Sequence, residues 1–286
     1  MHDKTFSVQH EQGLSYPPAL DDGEDLYVFT TVRWDAMLAA AFENTKASCN
    51  HPSPFYMFEH HWTRLQVSRW TNDLPRSSPA ELLRTLNRDV QIWQADHPEE
   101  KYESLRVRHR MFPSGKTISD ILPTARVPIE YLFPKTFNCP VTERLSNAPW
   151  TIVLDSEPTE ISSSTMYKTS DRMCYNRARA AAGITSYTQT KEVLLYSSDG
   201  GILDCSISTP YFFRNGRWVV PAASSGGLQG TTRRWSLEHG LCVEDSVGKD
   251  SLRDGEVIWL SNGARGYFPS LFVKQCHNKT EDKTPG

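Results

Sequence analysis

Three tight two-residue turns punctuate the second half of this chain, and each is set against a short run of β-forming residues. Asp199-Gly200 separates Glu192-Val-Leu-Leu-Tyr196 from Ile202-Leu203, Asn215-Gly216 divides an aromatic stretch, and Asn262-Gly263 follows Val257-Ile-Trp-Leu-Ser261. Asx-Gly pairs supply the positive φ that hairpin turns require, so this half is expected to be built on hairpins. Helical segments interrupt them. Arg172 to Ala182 reads as a helix closed by Gly183, and Gly226-Gly-Leu-Gln-Gly230-Thr-Thr232 runs into another that ends near Gly240.

The first half mixes the same ingredients. Leu26 to Arg33 is a strand by its β-branched and aromatic content, and Asp35 can cap a helix over Ala36 to about Lys46. Glu59 to Trp70 and Ser78 to Ala95 are helical in pattern, the second opened by Pro79. Leu105 to Met111 alternates apolar and basic residues, a strand with one charged face, and Pro113-Ser-Gly115 turns it into a partner near Thr117 to Leu122. Met166-Tyr167-Lys168 reads as a strand end. The expected fold is α+β in two domains: a loose arm over 1–25, a smaller α/β domain over 26–133, an irregular connection over 134–160, a larger domain over 161–276 and a polar tail over 277–286.

With 286 residues, 38% hydrophobic and 23% charged, the chain has the composition of a soluble globular protein. A formal charge of −3 gives no general attraction to nucleic acid or to an anionic membrane, so any bound anion needs a local cluster of donors. No apolar run reaches the roughly 18–20 residues that span a bilayer, and the first residues show no secretory h-region. The six cysteines are scattered without a CxxC pair, which points to reduced thiols and a cytoplasmic location. On that reading the Asn278-Lys279-Thr280 sequon is discounted.

Several residues carry candidate chemistry. Gly230 allows close backbone approach, and Thr231 and Thr232 open a helix whose free N–H groups make an anion site; most such loops are only loops. Lys168 sits beside Thr169, Ser170 and Asp171 at a helix start. It is either an exposed lysine or a partly desolvated one, with a lowered pKa and a nucleophilic amine fit for a Schiff base. Asp204 lies in an otherwise apolar strand, either facing water at an edge or buried against a cation. Arg106, Arg108 and Arg110 alternate on one strand face, which either binds a di-acid or is simply solvated. No histidine spacing suits a metal, and no GxSxG, Walker A loop or GxGxxG occurs.

The order of these pieces resembles one known family. Glu192-Val-Leu-Leu, Asp199-Gly200 and Leu203-Asp204-Cys-Ser-Ile-Ser resemble the EVLL…DG…EGSxSN segment of class IV aminotransferases. Tyr167-Lys168-Thr-Ser-Asp-Arg172, followed by Tyr175 and Arg177-Ala-Arg179, is similar to the stretch around that family's cofactor-bearing lysine. Gly227 to Arg233 and Glu256 to Asn262 resemble its phosphate cup, His61-Trp-Thr-Arg64-Leu65 matches HxxRL, and Phe29-Thr-Thr-Val-Arg33 matches the strand before it. The resemblance runs from about residue 26 to 272. Within the family, the tract from Tyr211 through Arg217-Trp218 to Pro221 and on to Arg233 looks most like fungal-type aminodeoxychorismate lyases.

The resemblance implies the two-domain pyridoxal 5'-phosphate (PLP) fold type IV of D-amino acid aminotransferase, with the larger domain binding the cofactor. It assigns Lys168 as the catalytic lysine, and Arg64, Asp204, Gly230, Thr231, Thr232 and Asn262 as cofactor contacts. Thr31, Arg106 and Arg108 are expected at the substrate, and no metal is expected. The implied reaction is release of pyruvate from 4-amino-4-deoxychorismate to give 4-aminobenzoate. A transaminase acting on D-amino acids, branched-chain amino acids or amines uses the same cofactor residues, and a repurposed or non-catalytic member is the third reading. A homodimer acting on a small amino substrate is implied. Two departures stand out: Asp204 replaces the family glutamate, one methylene shorter, and Thr209-Pro210 replaces the family asparagine region.

Overall fold

The computed structural model describes residues 26–67, 77–99, 102–137 and 150–275. The expected arm and tail, Cys139, Cys276 and the Asn278 sequon lie outside them.

Two sheets organise the chain. Strands β1 (Val28–Asp35), β2 (Ser104–Met111) and β3 (Thr117–Pro123) form an antiparallel sheet in the order β1-β2-β3. The alternation read in β2 is realised. Leu105, Val107 and Met111 are buried in a core with Val28, Val32 and Leu65, while Arg106, Arg108 and Arg110 are half-buried on the other face. Helix Pro79–Asp96 covers the apolar side with Leu82, Leu86 and Val90, a four-residue spacing that keeps them on one stripe. Ser78 and Glu81 close its N-terminus in a reciprocal capping box.

The second sheet has eight strands, ordered β6-β5-β4-β11-β10-β7-β8-β9. They are β4 (Trp150–Leu154), β5 (Lys191–Tyr196), β6 (Ile202–Cys205), β7 (Thr209–Arg214), β8 (Arg217–Pro221), β9 (Val243–Asp245), β10 (Val257–Asn262) and β11 (Gly266–Phe272). Each of the three Asx-Gly turns joins an antiparallel pair: β5 with β6, β7 with β8, β10 with β11. At the second, Asn215 and Gly216 both take positive φ, 52° and 77°, as a tight hairpin demands.

Strand β1 is also the seam between the sheets. Beyond its pairing with β2, Phe29 donates its N–H to the Lys168 carbonyl at 3.0 Å, Ser170 donates to Tyr27 at 2.8 Å, and Arg33 donates to Gly263 at 2.9 Å.

Three local expectations change. Residues 134–160, read as irregular, contain β4, an inner strand between β5 and β11; its Thr-Ile-Val core was hidden by surrounding Pro, Asn and Ser. Ser163–Met166 is one helical turn rather than a strand, because Ser162 and Thr165 cap each other; beyond it Tyr167 is extended and Thr169 forms a single antiparallel bridge to Val28 of β1. The helix expected over Ala36 to Lys46 breaks at Ala41 into a 3-10 turn capped by Asp35 and a short helix, Phe42–Lys46. Buried Asn44 forces this, its amide reaching the carbonyls of Leu38, Ser53 and Phe55.

Candidate active site

A cavity of about 790 Å³ opens where the arginine face of the small sheet meets the ends of β6, β7 and β10. Thr31, Arg64, Arg106, Arg108, Lys168, Asp204, Gly230, Thr231, Thr232 and Asn262 all line it. The residues expected at the cofactor and at the substrate therefore border one cavity. Eight basic side chains face it against two carboxylates, Asp120 and Asp204, so its field favours an anionic occupant.

One end is a cup of donors. Gly230 is the N-cap of helix Thr231–Glu238 and offers no side-chain cap, so the first-turn N–H groups remain available. A methyl on Gly230 would lie 2.7 Å from Thr209 Oγ1, which excludes larger residues there. Thr231 is 2% exposed and its hydroxyl has no hydrogen-bond partner, and neither has the buried Nε of Arg64. Two buried donors without partners in residues that line one cavity fit an oxyanion such as a phosphate. Thr232 Oγ1 accepts from Ser261 at 2.7 Å, leaving its proton as a further donor. Asn262 spends its carbonyl on the N–H groups of Ala264 and Arg265, so it shapes the turn at this rim.

Lys168 lies on the extended segment along β1, its ammonium position 5.2 Å from the centre of the Phe29 ring. It is half-buried as a residue, and the alternative of an exposed lysine fails. Desolvation holds its amine well below the ordinary lysine range, helped by the cations Arg172 and Arg64. The amine is thereby neutral and nucleophilic more readily than a surface lysine. Arg64 is itself lowered to about 10, chiefly by burial.

Asp204 resolves the other way from its water-facing alternative. Although β6 is an edge of the sheet, Asp204 is 5% exposed, and desolvation raises its carboxyl to about 8 against the partly offsetting Lys168. A carboxyl so placed gains from a cation opposite, which a protonated pyridine nitrogen supplies.

Sequence reasoning gave no role to Glu192. Fully buried, it accepts from the backbone N–H groups of Ser206 and Ile207, both at 3.2 Å, and from the Ser206 hydroxyl, pinning the turn that follows Asp204. Arg172 donates to the Ser206 carbonyl and Arg179 to its hydroxyl. The EVLL pattern held this glutamate in plain sight, but its task depends on a turn that begins fourteen residues away. Arg177, by contrast, turns from the cavity to Asp155 and Glu157.

The profile of the Amino-transferase class IV family matches residues 40–270. The chain belongs to that family. Its architecture is the α+β PLP fold type IV, and the chain is a class IV enzyme, of a family that works with PLP. A Schizosaccharomyces pombe protein named "Putative aminodeoxychorismate lyase" is 36% identical over 144 residues, 49% of this chain and 62% of that protein. The Saccharomyces cerevisiae "Aminodeoxychorismate lyase" is 31% identical over 136 residues, 42% of this chain and 36% of that protein. The matches thus span less than two thirds of either relative's length. Among solved structures, a Mesorhizobium loti protein described as a "putative amino-acid aminotransferase" superposes with a TM-score of 0.62, covering 87% of this chain and 100% of its own at 20% identity. That likeness speaks for the fold alone. No helix among the described residues of the class IV chain is long and apolar enough to cross a membrane.

Proposed function

We propose that this class IV enzyme binds pyridoxal 5'-phosphate through Lys168 and releases pyruvate from 4-amino-4-deoxychorismate, giving 4-aminobenzoate. The observation that carries the reading is the arginine face of β2, which lines the same cavity as Lys168. Arg106 and Arg108 fit the two carboxylates of such a substrate, and Arg108 is held ready by Tyr27 OH at 3.0 Å and the Phe29 ring. The two yeast relatives, both named as aminodeoxychorismate lyases, support the same reaction.

The chain's residues would divide the work as follows. Arg64, Thr231, Thr232 and the first-turn N–H groups after Gly230 hold the phosphate, and Asn262 supports the rim. Asp204 supplies the carboxylate toward the ring nitrogen. Bound PLP supplies an electrophilic carbon for amines and a sink for electron density developing on the substrate. Lys168, whose amine sheds its proton more readily than that of a surface lysine, would hold the cofactor, and its amine would take the ring proton whose loss drives aromatisation as pyruvate leaves. Thr31 borders the substrate space.

A transaminase reading stays beside this one, because Lys168 can equally move a proton between a substrate α-carbon and the cofactor carbon. The shorter Asp204 favours the third reading, a repurposed member. Purified protein with PLP and 4-amino-4-deoxychorismate should yield 4-aminobenzoate and pyruvate in equal amounts. Product from amino donor and 2-oxo acid pairs instead would favour the transaminase, and turnover of neither the repurposed member.

We also propose a cytoplasmic homodimer, each chain folded as two α+β domains, one over 26–133 and the other over 161–276 together with β4. Sedimentation should give about twice the 32.5 kDa chain mass.

A further inference from the structure

We infer that Thr30 and His61 are positioning residues that set the Arg64 guanidinium against the phosphate cup, so that cofactor affinity depends on two side chains that do not touch the cofactor. The inference rests on the reading of this cavity as a PLP site.

Alternation along β1 turns Thr31 toward the cavity and Thr30 away from it, toward helix Phe58–Val67, where it is fully buried. Its hydroxyl stands between two partners. Arg64 Nη2 donates to Thr30 Oγ1 at 2.7 Å, and His61 Nδ1 lies 2.6 Å away on the other side. An arginine can only donate, so the threonine oxygen accepts from it; toward His61 the same hydroxyl either gives its proton to Nδ1 or accepts an Nδ1–H on its second lone pair. Burial and the neighbouring Arg64 cation both push His61 well below its ordinary pKa, in keeping with a neutral ring.

The far edge of that ring is wedged against the other rim of the cup. A methyl on Gly263 would sit 2.5 Å from His61 Cε1 and 2.8 Å from Nε2, so only glycine lets the Asn262-Gly263 turn lie here. The same turn is tied to β1 by the Arg33 N–H at 2.9 Å. His61 thus spans from the β10–β11 turn to Thr30, and Thr30 passes the constraint to Arg64. A long arginine left alone would sample several rotamers and give up entropy on meeting an anion. Here Nη2 is fixed in advance, and the buried Nε, which has no partner, is a donor open to the phosphate.

The test compares PLP with pyridoxal, which carries the same aldehyde without the phosphate. The full chain, stripped of cofactor, is titrated with each by visible absorbance. In the parent, PLP should bind far more tightly. Thr30→Val keeps the shape and removes the hydroxyl; it should weaken PLP about tenfold or more while moving pyridoxal little, and Thr30→Ser should restore the preference. Equal losses for both ligands would mean general damage and overturn the inference, as would unchanged PLP affinity. Should Thr30→Val not accumulate as folded protein, Thr30→Ala and His61→Leu make the same comparison, and a selective loss of PLP binding or its absence decides in the same way. A parent that binds neither ligand would instead overturn the reading of the cavity as a PLP site, so the two failures are distinct.

Discussion

Lys168 and Phe29 are joined twice: the Phe29 N–H donates to the Lys168 carbonyl at 3.0 Å, and the lysine ammonium position lies 5.2 Å from the phenyl centre. The backbone bond fixes where the lysine leaves the chain, and the ring walls its side chain against the arginine strand. A residue from the second half of the sequence is thereby registered against β1 and, through β2, against Arg106 and Arg108.

Arg108 should govern substrate more than cofactor. Arg108→Met removes a charged donor whose guanidinium is already oriented by Tyr27 and Phe29. Losing a charge-assisted bond of about 1.5–3 kcal/mol corresponds to roughly a 10–100-fold rise in KM. PLP content, measured after denaturation, should stay that of the parent; equal loss of PLP would place Arg108 on the cofactor instead.

Asp204 gives a pH signature in the cofactor-free protein. Its folded carboxyl is raised to about 8 from an unfolded value near 4. Between those values the native state holds a proton that the unfolded state has lost, so stability falls as pH rises through this window. The melting-temperature advantage of the parent over Asp204→Asn should therefore shrink from pH 5 to pH 8 and level off above. An advantage that grows with pH would mean the carboxylate is already paired. With PLP present, Asp204→Asn should keep the fold and lose most turnover, and Asp204→Glu should keep or raise it.

Much of this site was legible in the sequence because its parts are local. The glycine-rich helix start, the alternating arginines of β2 and the Asx-Gly turns each follow from spacing within ten residues. Lys168 and Asp204 were ambiguous alone, since burial is not a local property, and only the order of motifs brought them together. Strand β4 stayed hidden because its place is set by β5 and β11 rather than by its own flanks. The tasks of Glu192, Thr30 and His61 depend on partners from other strands, a turn or a helix, and nothing in their immediate sequence announces them.

Gly227 should be irreplaceable for a steric reason. A methyl there would sit 2.2 Å from the Leu203 carbonyl oxygen, inside contact distance with backbone that cannot swing away. Gly227→Ala must push the cup loop off β6, next to Asp204. Overpacking of this kind costs about 1–3 kcal/mol, which lowers the melting temperature by several degrees. PLP affinity should fall with it; a variant as stable and as tightly binding as the parent would show that the loop is not seated on β6.

The central claim is that Lys168 carries the cofactor. Protein saturated with PLP should be yellow, and borohydride should fix the cofactor irreversibly to one peptide, the one containing Lys168. Recovery of the label there, and its loss in Lys168→Ala, is the predicted result. Label on another lysine, or none from PLP-saturated protein, would contradict the account.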